Sequence, residues 1–171
     1  MIMNMKEINL GQSTELTSPN PLTMICTENE DGTTNMAPVC FVSYLSFNPP
    51  MVGFAMGKAT HSVENAKRTE KATIVFPGKG MEKEIIGCGT STGKDTAKTE
   101  KFAIKLQEVT ESKIQIPENS RVAFVTDIKQ IIETGDHFLH ICEVKKIYGN
   151  ESVEGVYAWN GFAKLAGAQE K

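Results

Sequence analysis

Among 171 residues there is a single tryptophan, and aromatic side chains account for only 7% of the chain. No stretch approaches the roughly 20 consecutive apolar residues that a membrane-spanning helix requires, so no bilayer segment is expected. Charge of neither sign dominates: 18 Lys and Arg stand against 21 Asp and Glu, a net of -3. The chain therefore lacks the basic footprint that nucleic acid or an anionic membrane would select. Cysteine occurs four times, at Cys26, Cys40, Cys88 and Cys142, but never as a CxxC pair. Residues 1–21 carry no basic n-region and no apolar core, so they do not read as a secretory leader. The cysteines are then expected to be reduced thiols of a cytoplasmic protein, and the Asn150-Glu151-Ser152 sequon to be coincidental. The bias that marks disordered, collagenous or coiled-coil chains is also missing.

What is present is ordinary globular composition, 40% hydrophobic and 23% charged, at a length that suits one domain over residues 1–171. Residues 21–28 read as a strand, 29–32 (Asn-Glu-Asp-Gly) as a turn, and 33–47 as a long apolar stretch. Asn48-Pro49-Pro50 stops that stretch, because two prolines remove two ladder donors. Residues 51–56 form a short buried run. Residues 62–68 have the character of a surface helix, with Thr60 or Ser62 as its N-cap. A strand follows at 73–76, then one or two short helices with a glycine-rich interruption over 80–106. Residues 114–117 are briefly extended. Segments 121–132 and 138–148 read as a hairpin joined by Glu133-Thr134-Gly135-Asp136. An aromatic-rich extended ending covers 154–165. The fold class is mainly β with a few helices, arranged as an antiparallel sheet or barrel.

Four segments carry candidate chemistry. Gly87-Cys88-Gly89-Thr90-Ser91-Thr92-Gly93-Lys94-Asp95 suggests a phosphate-binding loop, but that pattern needs four residues between its glycines and a hydroxyl after the lysine. Here five residues separate Gly87 from Gly93, three separate Gly89 from Gly93, and Asp95 follows Lys94. A polar loop between helices is the better reading. Strand alternation puts His140 and Cys142 on one face, but no second ligand pair accompanies them, so core packing outweighs a metal site. Lys58, Thr60, Ser62 and Asn65 converge on a helix start, where free amides and the dipole suit a phosphate, although simple capping needs the same residues. In residues 35–44, Asn35, Pro38, Cys40 and Ser43 interrupt an apolar strand. Pro38 implies an edge or bulge whose amides can address a planar heterocycle, or an irregular edge with no ligand at all.

Taken in order, these segments resemble the flavin reductase-like family. The matching text is Thr33-Thr34-Asn35-Met36-Ala37-Pro38-Val39, Ser46-Phe47-Asn48-Pro49-Pro50, Met51-Val52-Gly53-Phe54 and the helix start at Ser62 to Asn65. It continues with Lys101-Phe102, Gly135-Asp136-His137, Glu143-Val144, and Val156-Tyr157-Ala158-Trp159-Asn160-Gly161-Phe162 through Leu165. The resemblance spans about residues 18–167 and is nearest the flavoredoxin branch. It implies an FMN-binding split β-barrel, a Greek-key antiparallel barrel that forms a homodimer. It also implies positions. Asn35, Met36, Ala37 and Pro38 lie along the flavin's polar edge, and Phe41 lies near the isoalloxazine ring. Lys58, Thr60, Ser62 and Asn65 hold the phosphate. Lys101 and His137 bring polar side chains to the cofactor, with Lys94 and Lys98 as neighbouring alternatives for the lysine. Trp159 or Phe162 closes the pocket, from the same subunit or the partner. Cys40 stands where many relatives have serine, Ser62 replaces threonine, and Cys142 replaces a glycine.

The function the resemblance implies is that of an FMN-dependent oxidoreductase of the NAD(P)H:flavin reductase type. The alternatives are a flavoredoxin-type electron carrier with a redox protein partner, or a cofactor-free β-barrel binding protein. The flavin carries the redox chemistry, so no catalytic triad, carboxylate pair or metal is expected. A lysine and a histidine near the pyrimidine end would stabilise negative charge electrostatically.

Overall fold

The computed structural model describes residues 5–168; residues 1–4, at the start of the stretch judged not to be a leader, and 169–171 lie outside the described residues. Among the described residues, eleven strands and four helices appear in the order α1 (Leu10–Leu16), β1 (Thr23–Glu28), β2 (Thr34–Val39), β3 (Val42–Phe47), β4 (Pro50–Gly57), α2 (His61–Thr69), β5 (Lys71–Pro77), α3 (Glu82–Gly89) and α4 (Lys98–Lys101). They continue with β6 (Leu106–Gln107), β7 (Ile116–Pro117), β8 (Ser120–Thr134), β9 (His137–Gly149), β10 (Tyr157–Trp159) and β11 (Lys164–Ala166). No described helix is long and apolar enough to cross a membrane.

Seven strands form one antiparallel sheet in the order β2-β1-β5-β8-β9-β4-β3. Its two outermost strands, β2 and β3, are consecutive in sequence and joined only by Cys40 and Phe41. Two edges linked by two residues must lie side by side, so the sheet curls round on itself and leaves a seam at that link. This geometry divides the long stretch 33–47 into two strands: β2 pairs with β1, whereas β3 pairs with β4 at the other edge. Pro38, which has no amide to donate, sits on the edge strand β2, where the ladder can spare one.

Alternation along β1 sends Met24 and Cys26 to one face and Ile25 to the other, and both faces are buried. The inner cluster contains Ile25, Phe54, Ile74, Phe124 and Cys142, and is plugged by Val63 and Ala66 of α2. The outer cluster packs Met24, Cys26, Met36 and Val75 beneath Ile85 and Cys88 of α3, with Ile104 and Ile114 beside them. The β8–β9 hairpin turns on Gly135, at φ +56, and Asp136. Two register shifts in this pair let strands of 15 and 13 residues bend with the curl.

The hairpin, the helix after residue 60 and the paired prolines stand where the sequence places them. Helix α1 has no counterpart in that reading. Its seven residues bury none of their number and are held by an Asn9 capping box, a local signal too short to stand out from loop composition. The aromatic ending is resolved as a small hairpin of β10 and β11, separate from the main sheet.

Candidate functional site

A cavity of ≈ 780 Å³ opens at the seam. One wall is the end of β2 with its link to β3, running from Asn35 through Ala37, Pro38, Cys40 and Phe41. A second is the start of α2, with Thr60, His61 and Ser62. The third is α3 and the loop after it, from Ile85 to Gly93, with Lys98 behind. His137, Ala158, Phe162 and Leu165 complete the mouth.

The polar end is built on α2. Thr60 is the N-cap residue by backbone geometry, but its side chain makes no capping bond, and its buried Oγ1 has no hydrogen-bond partner. Ser62, the other capping candidate, lies inside the first turn, where its Oγ accepts from Asn35 Nδ2 at 2.8 Å. That bond fixes the orientation of the Asn35 amide. Its Oδ1, in a residue only 2% exposed, is left buried without a donor. An amide oxygen without a partner in a cavity wall is costly unless water or a ligand supplies the donor. No side chain caps the first turn, and its residues Thr60, His61 and Ser62 line the same cavity, so the helix start adjoins it.

Lys98 is 6% exposed, and its Nζ donates to the carbonyls of Met36 at 2.9 Å and Cys88 at 2.8 Å. Burial pushes its pKa below the ordinary lysine value, against an opposing pull from Cys88. The lysine that the fold brings to the cavity is thus Lys98. Lys101, one turn later on α4, is exposed, with its Nζ 5.4 Å from the centre of the Phe102 ring, outside the cavity wall. A helical turn of only four residues decides between them, and chain spacing alone does not reveal which side of it faces inward.

Four other candidates stand away from the wall. Lys58 is paired with Glu133 and lies 5.6 Å from the Phe138 ring centre, so its charge is already engaged at the hairpin end. Glu133 is held below the usual carboxylate range by that hydrogen bond. Asn65 is buried behind the cavity, where its Nδ2 donates to Asn29 Oδ1 at 2.9 Å and Thr27 Oγ1 at 3.3 Å. Trp159 alternates with Ala158 on β10, and it is Ala158 and Phe162 that reach the cavity. Met36 points its side chain into the outer cluster and contributes only its carbonyl, to Lys98.

At the mouth, Phe41 packs 5.3 Å from the His137 ring and 5.9 Å, edge-on, from Phe162. His137 Nδ1 lies 2.6 Å from Asp136 Oδ1, and this contact holds the Asp136 carboxyl below its ordinary value. The cavity thiols are not nucleophiles: burial pushes Cys40 up to about 11 and Cys88 up to about 11. Cys142 packs in the inner cluster, away from the cavity, and His140 stacks on Phe54 with ring centres 4.6 Å apart.

The loop read as a mere connection between helices is part of the site. Gly89, Thr90, Ser91, Thr92 and Gly93 all line the cavity. A Cβ on Gly93 would fall 2.1 Å from Asn35 Oδ1 and 3.0 Å from His61 Cδ2, so only glycine lets the loop close on the wall. The clustering of glycines with hydroxyls was the available signal; its proximity to Asn35 arises from the fold.

Residues 16–166 match the flavin reductase like domain. The chain belongs to that family. Flavoredoxin from Methanosarcina acetivorans superposes with a TM-score of 0.85 at 17% identity, covering 99% of this chain and 94% of that one. An FMN-binding protein from Thermus thermophilus, solved with bound 1-cyclohex-2-enone, superposes at 0.82 and 15% identity, covering 100% and 98%. At such identities the likeness is one of fold, and it is that of the split-barrel flavin reductases. In sequence, an uncharacterized protein of Archaeoglobus fulgidus is 26% identical over 110 residues, 64% of this chain and 62% of its own length.

Proposed function

We propose that this flavin reductase-like protein binds FMN in the seam cavity and acts as an oxidoreductase taking electrons from NAD(P)H. The observation that carries the reading is the buried, donor-free Oδ1 of Asn35, set in the same cavity as an uncapped helix start. A flavin supplies what both features need: ring and ribityl donors for the amide oxygen, and a phosphate for the helix terminus. The cavity volume of ≈ 780 Å³ also admits a tricyclic ring and leaves space beside it.

Once bound, FMN supplies the hydride and electron chemistry. Thr60, Ser62 and the first-turn amides of α2 hold the phosphate. Asn35 orients the polar edge, and Pro38 and Phe41 flank the ring system. Lys98 fixes the β2 and α3 backbones against each other, which keeps both cavity walls in register. His137, held by Asp136, brings its imidazole ring to the mouth, where it can hydrogen-bond the ligand. The apolar surfaces of Ile85, Leu165 and Phe162 keep water from the ring. The homologous family and the exposed Tyr44, Leu45 and Phe47 on β3 support a homodimer, for which the mass in solution is the measurement.

A second reading keeps FMN and removes the pyridine nucleotide. Phe41 and Phe162, 48% and 45% exposed, form an aromatic edge at the mouth that a redox protein partner could cover, as a flavoredoxin-type carrier requires. A visible absorption spectrum before and after FMN addition, with an equilibrium titration, tests the shared part of both readings. Bound flavin reduced by NADH or NADPH without oxygen selects the reductase. Bound flavin reduced by a protein donor and inert to both nucleotides selects the carrier. No FMN binding at equilibrium defeats both and leaves a cofactor-free barrel protein.

A further inference from the structure

A second cavity, of ≈ 880 Å³, lies on the outer face of the sheet, and among the described residues it shares no lining residue with the seam cavity. It lies over β5 and β8 and is bordered by β9 and the loop of residues 111–114. Helix α2 has its start in the seam wall and its last residue, Thr69, beside this second cavity.

Two features of the cavity go beyond packing. The first is a doubled lysine. In a regular strand, alternation sends consecutive side chains to opposite faces. Lys145 and Lys146 nevertheless both line the cavity, because a bulge interrupts β9 there. Val125 pairs with Lys146 and Thr126 with Val144, which leaves Lys145 as the extra residue. Lys71 on β5 and Lys113 in the loop bring the lining to four lysines, against the three carboxylates of Glu28, Glu111 and Asp127. The pairings within the cavity are loose: Lys146 Nζ is 3.6 Å from Glu111, and Lys145 Nζ is 3.7 Å from Asp127, both longer than hydrogen bonds. Among the described residues, Lys71 and Lys113 form no ion pair, and neither does Glu28. The Glu111 side chain is 64% exposed, which leaves it room to turn to water when another anion takes its place.

The second feature is Thr73. It alternates with Ile74 of the inner cluster, so it belongs to the outer face, between Cys26 and Val125 in the ladder. Its neighbours there are apolar, it is 0% exposed, and its Oγ1 has no hydrogen-bond partner. Thr126, one residue beyond Val125, shows the usual solution, donating from Oγ1 to the Ala72 carbonyl at 2.8 Å. A buried hydroxyl without a partner is destabilising, and valine would fill the same space without that cost. The orphaned hydroxyl occurs where the cavity adjoins β5.

We propose that this cavity binds a small multivalent oxyanion, a phosphate ester or a polycarboxylate, with Thr73 at its floor and Lys71, Lys113 and Lys146 around it. Each lysine is a point charge with three donors, and a multivalent anion draws several of them at once, which a single carboxylate such as Glu111 does not. Lys145 stays with Glu143, at 2.6 Å, and holds the bulge.

The test is calorimetric titration of the full-length protein with pyrophosphate and with citrate at constant ionic strength. The proteins are the wild type, a chain carrying both Lys71→Gln and Lys113→Gln, Thr73→Val and Thr73→Ser. The wild type is expected to bind at least one of the two anions saturably; the tighter one tells phosphate ester from polycarboxylate. The double lysine variant is expected to bind about tenfold more weakly, and Thr73→Val about fivefold. Thr73→Val should unfold no earlier than the wild type without the anion, because it removes an unsatisfied hydroxyl. Thr73→Ser, which keeps the hydroxyl, should bind as the wild type does. A wild type with no saturable binding of either anion overturns the proposal. So does wild-type affinity in the double lysine variant or in Thr73→Val, since an anion held at the start of α2 instead would ignore both. If Thr73→Val fails to fold, the double lysine variant, whose lysines have no ion pairs to lose, decides.

Discussion

The inside of the barrel and its seam are made by the same strands, yet they are built to opposite rules. Inside, Ile25, Phe54, Ile74 and Phe124 meet Val63 and Ala66 of α2 in a closed apolar cluster. The one ionisable imidazole there, His140, is 0% exposed, with neither ring nitrogen hydrogen-bonded, and simply stacks on Phe54. At the seam, polar and apolar side chains share the cavity wall, and two oxygens, Thr60 Oγ1 and Asn35 Oδ1, are buried without hydrogen-bond partners. A buried histidine without partners in a dry core is tolerated as a neutral aromatic ring. An unpartnered amide oxygen in a cavity wall is an atom that a bound donor would satisfy. The same accounting of hydrogen bonds therefore has different meanings, according to whether space for a ligand adjoins the orphaned atom.

This contrast can be broken most severely from the inside. Phe54→Ala should cost about 3–5 kcal/mol by urea denaturation, because a fully buried ring leaves a cavity that the strands cannot refill. Flavin affinity of the molecules that remain folded should change little. Lys98→Met acts behind the cavity wall: loss of the donor to the Met36 and Cys88 carbonyls should cost about 1–3 kcal/mol and loosen the cavity as well. Equal stability of this variant and the wild type in urea would show that the two carbonyls do not depend on Nζ. Gly93→Ala should do the reverse of Phe54→Ala. It should leave the unfolding midpoint within about 0.5 kcal/mol while weakening FMN about tenfold, because its Cβ displaces Asn35 Oδ1 or lifts the loop.

The smallest effect is a matter of pH. Burial holds the His140 pKa below the ordinary histidine value, so the unfolded chain takes up this proton first as the pH falls. Its contribution to stability is complete above the unfolded value of about 6.5 and declines as the pH drops from there toward the folded value. His140→Leu should flatten that part of the stability profile. A wild-type profile of the same slope as the variant would remove His140 as its source.

Much of the architecture was legible because it follows from local chemistry. Pro38 announces an edge strand, Asn48-Pro49-Pro50 a break, Gly135-Asp136 a hairpin turn, and Thr60 to Ser62 a helix start; each depends on backbone constraints within a few residues. The site was legible only in part. Asn35, Ala37, Pro38, Cys40, Phe41, Thr60, Ser62 and His137 do come together around one cavity. Lys58, Asn65, Lys101 and Trp159 stand near it in sequence terms but are turned to Glu133, Asn29, solvent and the rear of β10.

The amino-acid sequence by itself determined most strand positions, their punctuation and the helix that starts after residue 60. Those properties follow from φ restriction, side-chain alternation and composition, all short-range. Only the tertiary structure decided that β2 and β3 close on each other at Cys40–Phe41, that Lys98 rather than Lys101 turns inward, and that the 89–93 loop descends onto Asn35 and His61. Each of those outcomes joins residues far apart in the chain, and side chains a few positions apart on one short turn compete for the same space. Packing, which is felt only when the sheet has curled, settles that competition.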